Sequence, residues 1–212
     1  MNVTSFSATD FNVFKIEGLD YRMQALKDRI RPKLDALGDH FASELSAMTG
    51  QELFPHVAKH ARRTINPPND TWVAFAASKR GYKMMPHFQI GLWGSHMFVW
   101  FAVIYEAPIK VQFGETLEKS VKNIKEMIPG NFVWSLDHTK PEVIPHNTLS
   151  LEELTAMFKR LQEVKKAEIL CGIKIPREDA INLSNDEFFS TIHDAFVHLM
   201  PLYRLTQTLI YK

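Results

Sequence analysis

A single cysteine, Cys171, stands in the whole chain. No disulfide can form within it, which fits a reducing compartment and leaves the fold to packing alone. Long apolar runs are missing as well: the longest, residues 97–105, is much too short to cross a bilayer as a helix. Met1-Asn2-Val3-Thr4-Ser5-Phe6 lacks the basic start and apolar stretch of a secretory signal, so cytoplasm is the expected location and no membrane partner is expected. There is no glycine-rich phosphate loop, dinucleotide fingerprint, repeat period or Gly/Ser linker. Acid is scarce in one region. Between Leu53 and Tyr105, Asp70 is the one acidic residue against six basic ones, Lys59, Arg62, Arg63, Lys79, Arg80 and Lys83. With a whole-chain net charge of +1, that window holds +5 and the remainder −4. A field of one sign concentrates partners of the other, so the window marks an anion-facing surface.

What is present suffices for a core. Hydrophobic residues make up 45% of the 212 and charged residues 23%, ordinary proportions for a globular chain, and one domain is expected over residues 1–212. Residues 11–16 alternate as a short strand. Met23, Leu26, Ile30, Leu34, Leu37, Phe41, Leu45 and Met48 recur at steps of three and four, one helical face, with a kink or fresh start at Pro32 and an end at Gly50. A short basic helix is predicted over 55–64, stopped by Asn66-Pro67-Pro68-Asn69-Asp70. Three β segments follow, 71–78, 83–93 and 96–107, with turns at Arg80-Gly81 and Gly94-Ser95. Residues 116–128 read as a helix and 132–136 as a strand. Capping boxes at Ser150/Glu153 and Ser184/Glu187 open two more helices, the second carrying Pro201, and between them 167–175 reads as a strand that Pro176 stops. Helices and antiparallel strands without regular β-α-β alternation make the class α+β: one antiparallel-rich sheet around a three-strand meander, packed against several α-helices.

The candidate site follows from spacing. His56, Lys59, His60 and Arg63 share one face of the predicted basic helix, a row suited to phosphate or carboxylate oxygens. The competing reading is a solvated basic face. With both turns in place, Trp93 faces His96, Gln89 faces Trp100, Trp72 faces Gln89 and Ala74 faces His87. One sheet face then carries Trp72, Gln89 and Trp100 in a row, with His87 and Trp93 beside them and Lys79, Arg80 and Lys83 at the rim. The other carries Phe88, Ile90, Leu92, Met97, Val99 and Phe101, which is core. Aromatic faces stack on bases while cations hold phosphates, so an open face would suit a planar or phosphorylated ligand. A helix laid over it would instead leave His87 and Gln89 buried and hydrogen-bonded.

Other constellations are thinner. His56 and His60 have the i, i+4 spacing of metal ligands but lack a third, so neither metal nor other cofactor is expected. Asp137-His138, with Glu106, offers a base and an orienting carboxylate, or merely turn residues. Cys171, between Leu170 and Ile173, reads as a small core residue. No catalytic signature stands out.

Three runs carry a family resemblance: His56-Val57-Ala58-Lys59-His60-Ala61-Arg62-Arg63, Asn66-Pro67-Pro68-Asn69-Asp70-Thr71-Trp72-Val73-Ala74-Phe75 and Pro86-His87-Phe88-Gln89-Ile90-Gly91-Leu92-Trp93. Ile104-Tyr105-Glu106 and Asp137-His138-Thr139-Lys140-Pro141 support them. The chain resembles the YktB-like family of uncharacterised proteins from low-GC Gram-positive bacteria over nearly its full length. The resemblance implies a single α+β domain in the bacterial cytoplasm and implies no activity.

Together these features favour non-catalytic binding of a phosphorylated ligand, with single-stranded nucleic acid as the first partner. The binding residues would be His56, Lys59, His60, Arg63, Trp72, Arg80, Lys83, His87, Gln89 and Trp93. A net charge near neutral argues against a dedicated nucleic-acid binder. Two alternatives stay open: an enzyme on a small anionic substrate with His87 or His138 as acid/base, and a module for an acidic protein partner.

Overall fold

The computed structural model describes residues 4–210, so Met1, Asn2 and Val3 of the opening run lie outside the described residues. Seven antiparallel strands form one sheet in the order β1-β2-β3-β4-β7-β5-β6. They are β1 (Phe54–Val57), β2 (Asp70–Ala76), β3 (His87–Trp93), β4 (His96–Val103), β5 (Val133–Ser135), β6 (Ile144–Pro145) and β7 (Ile169–Pro176). The helices are α1 (Ala8–Asn12), α2 (Leu19–Ala25), α3 (Arg31–Thr49), α4 (Lys110–Lys119), α5 (Val121–Met127), α6 (Leu151–Glu163), α7 (Arg177–Ala180) and α8 (Asn185–Ile210). The expected α+β class holds, with β2, β3 and β4 as the meander. No described helix is long and apolar enough to cross a membrane.

Strand alternation divides the sheet into two unlike faces. Val73, Phe75, Phe88, Ile90, Leu92, Val99, Phe101 and Cys171 point to the side where α3, α4, α6 and α8 lay down Leu37, Phe41, Phe113, Phe158, Phe196 and Tyr203. Phe88 sits at the centre of that packing, with ring centroids 5.3 Å from Phe196 and 5.1 Å from Tyr203. The opposite face holds a smaller cluster of Phe98, Trp100, Ala102, Ile104 and Leu170, bordered by Trp72, Trp93, Val133 and Val143, none of them helical. Its aromatic rings lie across two glycines. A Cβ on Gly91 would meet the Phe98 ring at 2.4 Å, and one on Gly172 would meet the Val99 carbonyl oxygen at 1.9 Å and Trp100 at 2.9 Å. Only a residue without a side chain lets layer and strand approach that closely.

Several expectations change. Residues 11–16 form the end of α1 and a 3-10 turn over Val13–Lys15, because Phe11, Val13 and Phe14 all turn into the core and a strand would send one of them outward. The long helical face of 23–48 is continuous, but the change of pitch comes before Pro32. Leu26–Ile30 makes a π-turn, and the proline then sits in the first turn of α3, where its missing N–H costs nothing. Gly50 ends α3 in the left-handed region at φ 69°. The helix expected over 116–128 breaks at Ser120 into α4 and α5. Ser150 and Glu153 form the expected capping box, and Ser184 pairs with Glu187 in the same way.

Two corrections bear on the site. The register across Gly94-Ser95 is as expected, with Gln89 opposite Trp100 and Gly91 opposite Phe98. Between β2 and β3 it lies two residues away from expectation: Trp72 faces Gly91 and Ala74 faces Gln89. A long connection, 77–86, replaces the tight Arg80-Gly81 turn, and a slip of two keeps every side chain on its own face. The basic helix over 55–64 does not form. Phe54–Val57 is an edge strand paired to β2, and 58–69 is irregular, with His60 at φ 51°. A helix there would leave the outer backbone of β2 unpaired.

Candidate functional site

Although the basic segment is not a helix, it still gathers its cations. Val57 to Arg63 curl over the sheet edge and, with Trp72, Tyr82, Lys83 and Glu106, line an open groove of about 600 Å³. Lys83 is held by Glu106 at 3.2 Å. Lys59, Arg62 and Arg63 are exposed and form no ion pair among the described residues. The inner wall is aromatic: the Trp72 indole N–H donates to the Tyr82 hydroxyl at 3.2 Å, and His60 meets the Trp72 ring edge-on at 5.6 Å. His60 also contacts the Thr71 hydroxyl at 3.2 Å. Burial, helped by the charges of Arg63 and Arg31, pushes its pKa down to about 4, so at neutral pH it is an uncharged wall of the groove.

The groove unites Lys59, His60, Arg63, Trp72 and Lys83 of the ten residues expected to bind. The other five lie apart. His56 borders a neighbouring hollow with Arg31, Asp35 and Asp39, its Nε2 2.8 Å from the Ser78 carbonyl. Arg80 is exposed on the 77–86 connection. His87 is 0% exposed and Gln89 4%. The His87 Nδ1 lies 2.8 Å from the Met85 carbonyl, and its Nε2 2.8 Å from the Gln89 amide nitrogen. Trp93 stacks on His96 at the far hairpin end, 6.1 Å between centroids. Trp100 is therefore covered, by loops rather than a helix, while Trp72 and Trp93 stay half-buried at its margins.

A second cleft, about 660 Å³, opens where 137–144 passes β7. Its walls include Tyr105, Trp134, Asp137, His138, Lys140, Arg160, Lys166 and Glu168. The carboxylate facing His138 is Glu168, not Glu106. The His138 backbone N–H donates to Glu168 Oε1 at 2.6 Å, and the ring Nδ1 lies 2.7 Å from the same oxygen. Burial by itself would lower the His138 pKa, but the hydrogen bond and charge of Glu168 outweigh it and raise the value above the usual range. Asp70 lies close enough to feel both His138 and Arg63. Burial still pushes its pKa up to about 6 against their pull.

Comparison with known proteins places the chain. A family model described as a domain of unknown function, DUF1054, matches residues 6–203. The chain belongs to the DUF1054 family. A UPF0637 protein of Bacillus velezensis is 60% identical to it over 207 residues, covering 98% of this chain and 99% of that protein. UPF0637 proteins of Bacillus licheniformis and Bacillus cereus are 54% and 52% identical, each over at least 97% of both chains. The YktB-like resemblance read from the sequence is thus a family membership, and none of these names assigns an activity.

In this DUF1054 chain the runs that carried the resemblance meet around the loop-covered face. Val57 to Arg63 edges the basic groove, Gln89 and Trp93 border the buried floor, and Asp137 to Lys140 walls the second cleft. Tyr105 and Glu106 stand between the clefts, one lining each. Tyr82, Arg160, Lys166 and Glu168 escaped the sequence reading. Glu168 had one signal, a lone acid at the head of the apolar run 169–173, and the lysines beside it in sequence, Lys165 and Lys166, point to no histidine partner.

Proposed function

We propose that this DUF1054 protein binds a small phosphorylated molecule in the basic groove. The observation that carries the reading is the convergence of Lys59, Arg62 and Arg63, free of acidic partners among the described residues, on a groove with an aromatic wall. Unpaired guanidinium groups suit phosphate oxygens through paired hydrogen bonds, while Trp72 and Tyr82 present surface to the organic part. A groove of about 600 Å³ has the size of a nucleotide-scale ligand site.

The long stacking platform that a nucleic-acid strand would use is covered, since Trp100 is buried and Trp93 packs on His96. That favours a compact ligand over an extended strand. The enzyme alternative loses His87, both of whose ring nitrogens are engaged in the interior.

Calorimetric titration with inorganic phosphate, a nucleoside monophosphate and a single-stranded oligonucleotide tests the reading. Saturable binding of the monophosphate, weakened about tenfold or more in Arg63→Ala, is expected, since a charged hydrogen bond contributes about 1.5–3 kcal/mol. Binding that tightens with oligomer length and collapses with salt would replace the small ligand by a nucleic-acid strand. No heat from any of the three at millimolar concentration, or binding indifferent to Arg63→Ala, would overturn the assignment.

A further inference from the structure

The second cleft contains a charged group that the protein leaves half-satisfied. Glu168 is 4% exposed; its Oε1 accepts both contacts from His138, and its Oε2 is buried with no hydrogen-bond partner among the described residues. Leaving a buried carboxylate oxygen unpaired costs about 1–3 kcal/mol or more, so such an atom calls for a partner from outside the chain. Donor atoms of Asp137, His138 and Glu168 fall within 4.8 Å of one another, and all three residues line the cleft.

We propose that Asp137, His138 and Glu168 bind a divalent first-row transition-metal cation of the Zn²⁺ or Mn²⁺ kind. One imidazole and two carboxylates form a mixed nitrogen and oxygen set, which favours these ions over the all-oxygen preferences of Ca²⁺ and Mg²⁺. Ligand atoms about 2.1 Å from one ion in a tetrahedron lie about 3.4 Å apart, so the set closes with a shift of about an ångström. Asp137 is free to make that shift. Its side chain is 40% exposed, and the Thr139 backbone N–H and hydroxyl hold its Oδ1 at 3.0 and 2.6 Å, leaving Oδ2 only a loose 3.5 Å pairing with Lys140. Lys140 is only loosely paired with Asp137 and can be displaced by the ion. Arg160 and Lys166, also on the cleft walls, oppose a bare cation and favour one whose remaining position holds an anion.

Spacing along the chain points to the wrong pair. His56 and His60 have helical metal-ligand spacing, yet the structure gives His56 to the Ser78 carbonyl and His60 to Thr71. The real cluster joins residues 30 positions apart, from the loop after β5 and the residue preceding β7.

The test uses the full chain stripped with a chelator and titrated with Zn²⁺, Mn²⁺ and, as a control, Mg²⁺. One equivalent of Zn²⁺ or Mn²⁺ is expected to bind and raise the thermal midpoint, with Mg²⁺ far weaker. Glu168→Gln is expected to weaken binding more than about 100-fold, beyond the usual effect of losing an orienting neighbour. Asp137→Asn, at a half-exposed position that does not threaten folding, is expected to weaken it as well, while His56→Gln and His60→Gln leave it unchanged. A Co²⁺-loaded sample should show ligand-field bands that Asp137→Asn alters. The proposal is overturned if no ion saturates, or if binding survives both Glu168→Gln and Asp137→Asn undiminished. Arg63 lies in the other groove, so failure here leaves the phosphate reading standing, and the reverse.

Discussion

The two faces of the sheet are built on opposite principles. The helix-covered face is mostly apolar: Phe88, Phe101, Phe196 and Tyr203 interlock ring against ring, and the buried His146 joins it through the Trp134 indole. The loop-covered face places aromatic rings over Gly91 and Gly172 and mixes them with His87, Gln89, His96 and Asp70. Helices bring long apolar stripes, so they demand a uniform surface beneath them. Loops bring backbone groups and polar side chains that need partners, and the strands below supply them. Close apolar packing therefore concentrates on one side of the sheet and buried polar groups on the other.

The sharpest way to separate the faces is Phe88→Ala, which should cost about 3–5 kcal/mol in denaturant unfolding without altering ligand or metal binding. A loss below about 1 kcal/mol would show that the helix side does not dominate stability. Gly172→Ala attacks the loop side, where the added methyl meets a backbone carbonyl that cannot move without disturbing the β4–β7 pairing. About 3 kcal/mol of destabilisation is expected, at the upper end for overpacking.

Acid should act chiefly through the loop side, joined by His146, whose pKa burial also pushes down where the ring meets Trp134. Burial is the main cause that pushes His60 and His87 down to about 4 and His96 to about 3. Between pH 6.5 and 4 the unfolded chain takes up protons that the folded chain refuses, so stability falls as pH falls. The slope is about 1.4 kcal/mol per pH unit for one fully buried histidine such as His87. Asp70 has the opposite sign: its folded pKa of about 6 lies above the ordinary carboxylate value, so folding favours its protonation in the same window. Asp70→Asn should therefore stabilise the protein at pH 7 and steepen its loss of stability on acidification; urea midpoints at pH 7, 5.5 and 4.5 check both. The smallest effect is expected from Arg80→Ala, within about 0.5 kcal/mol and without influence on phosphate binding. A clear loss of affinity there would extend the basic groove along the 77–86 connection.

How much of this was legible in the sequence depended on the reach of each signal. The β3–β4 register could be read because a two-residue turn fixes it, leaving Gln89 opposite Trp100 with no freedom. The β2–β3 register could not, since 77–86 is long enough to hide a slip of two. The steps His56, Lys59, His60 and Arg63 match a helix, yet an edge strand followed by a bend brings much the same side chains to one groove. Tertiary demand for a partner beside β2 overrode the local period. Glu168 was invisible for a plainer reason: its meaning comes from His138 across the sheet, and no local pattern announces it.

The outermost strands carry one more consequence. β1 at one margin and β6 at the other are four and two residues long, and each contains a proline, Pro55 and Pro145. A proline offers no N–H to an approaching strand, and so short a margin gives little backbone to match. Both borders of the sheet thus present little backbone for a second molecule to pair with, and two imino rings work against edge-to-edge extension.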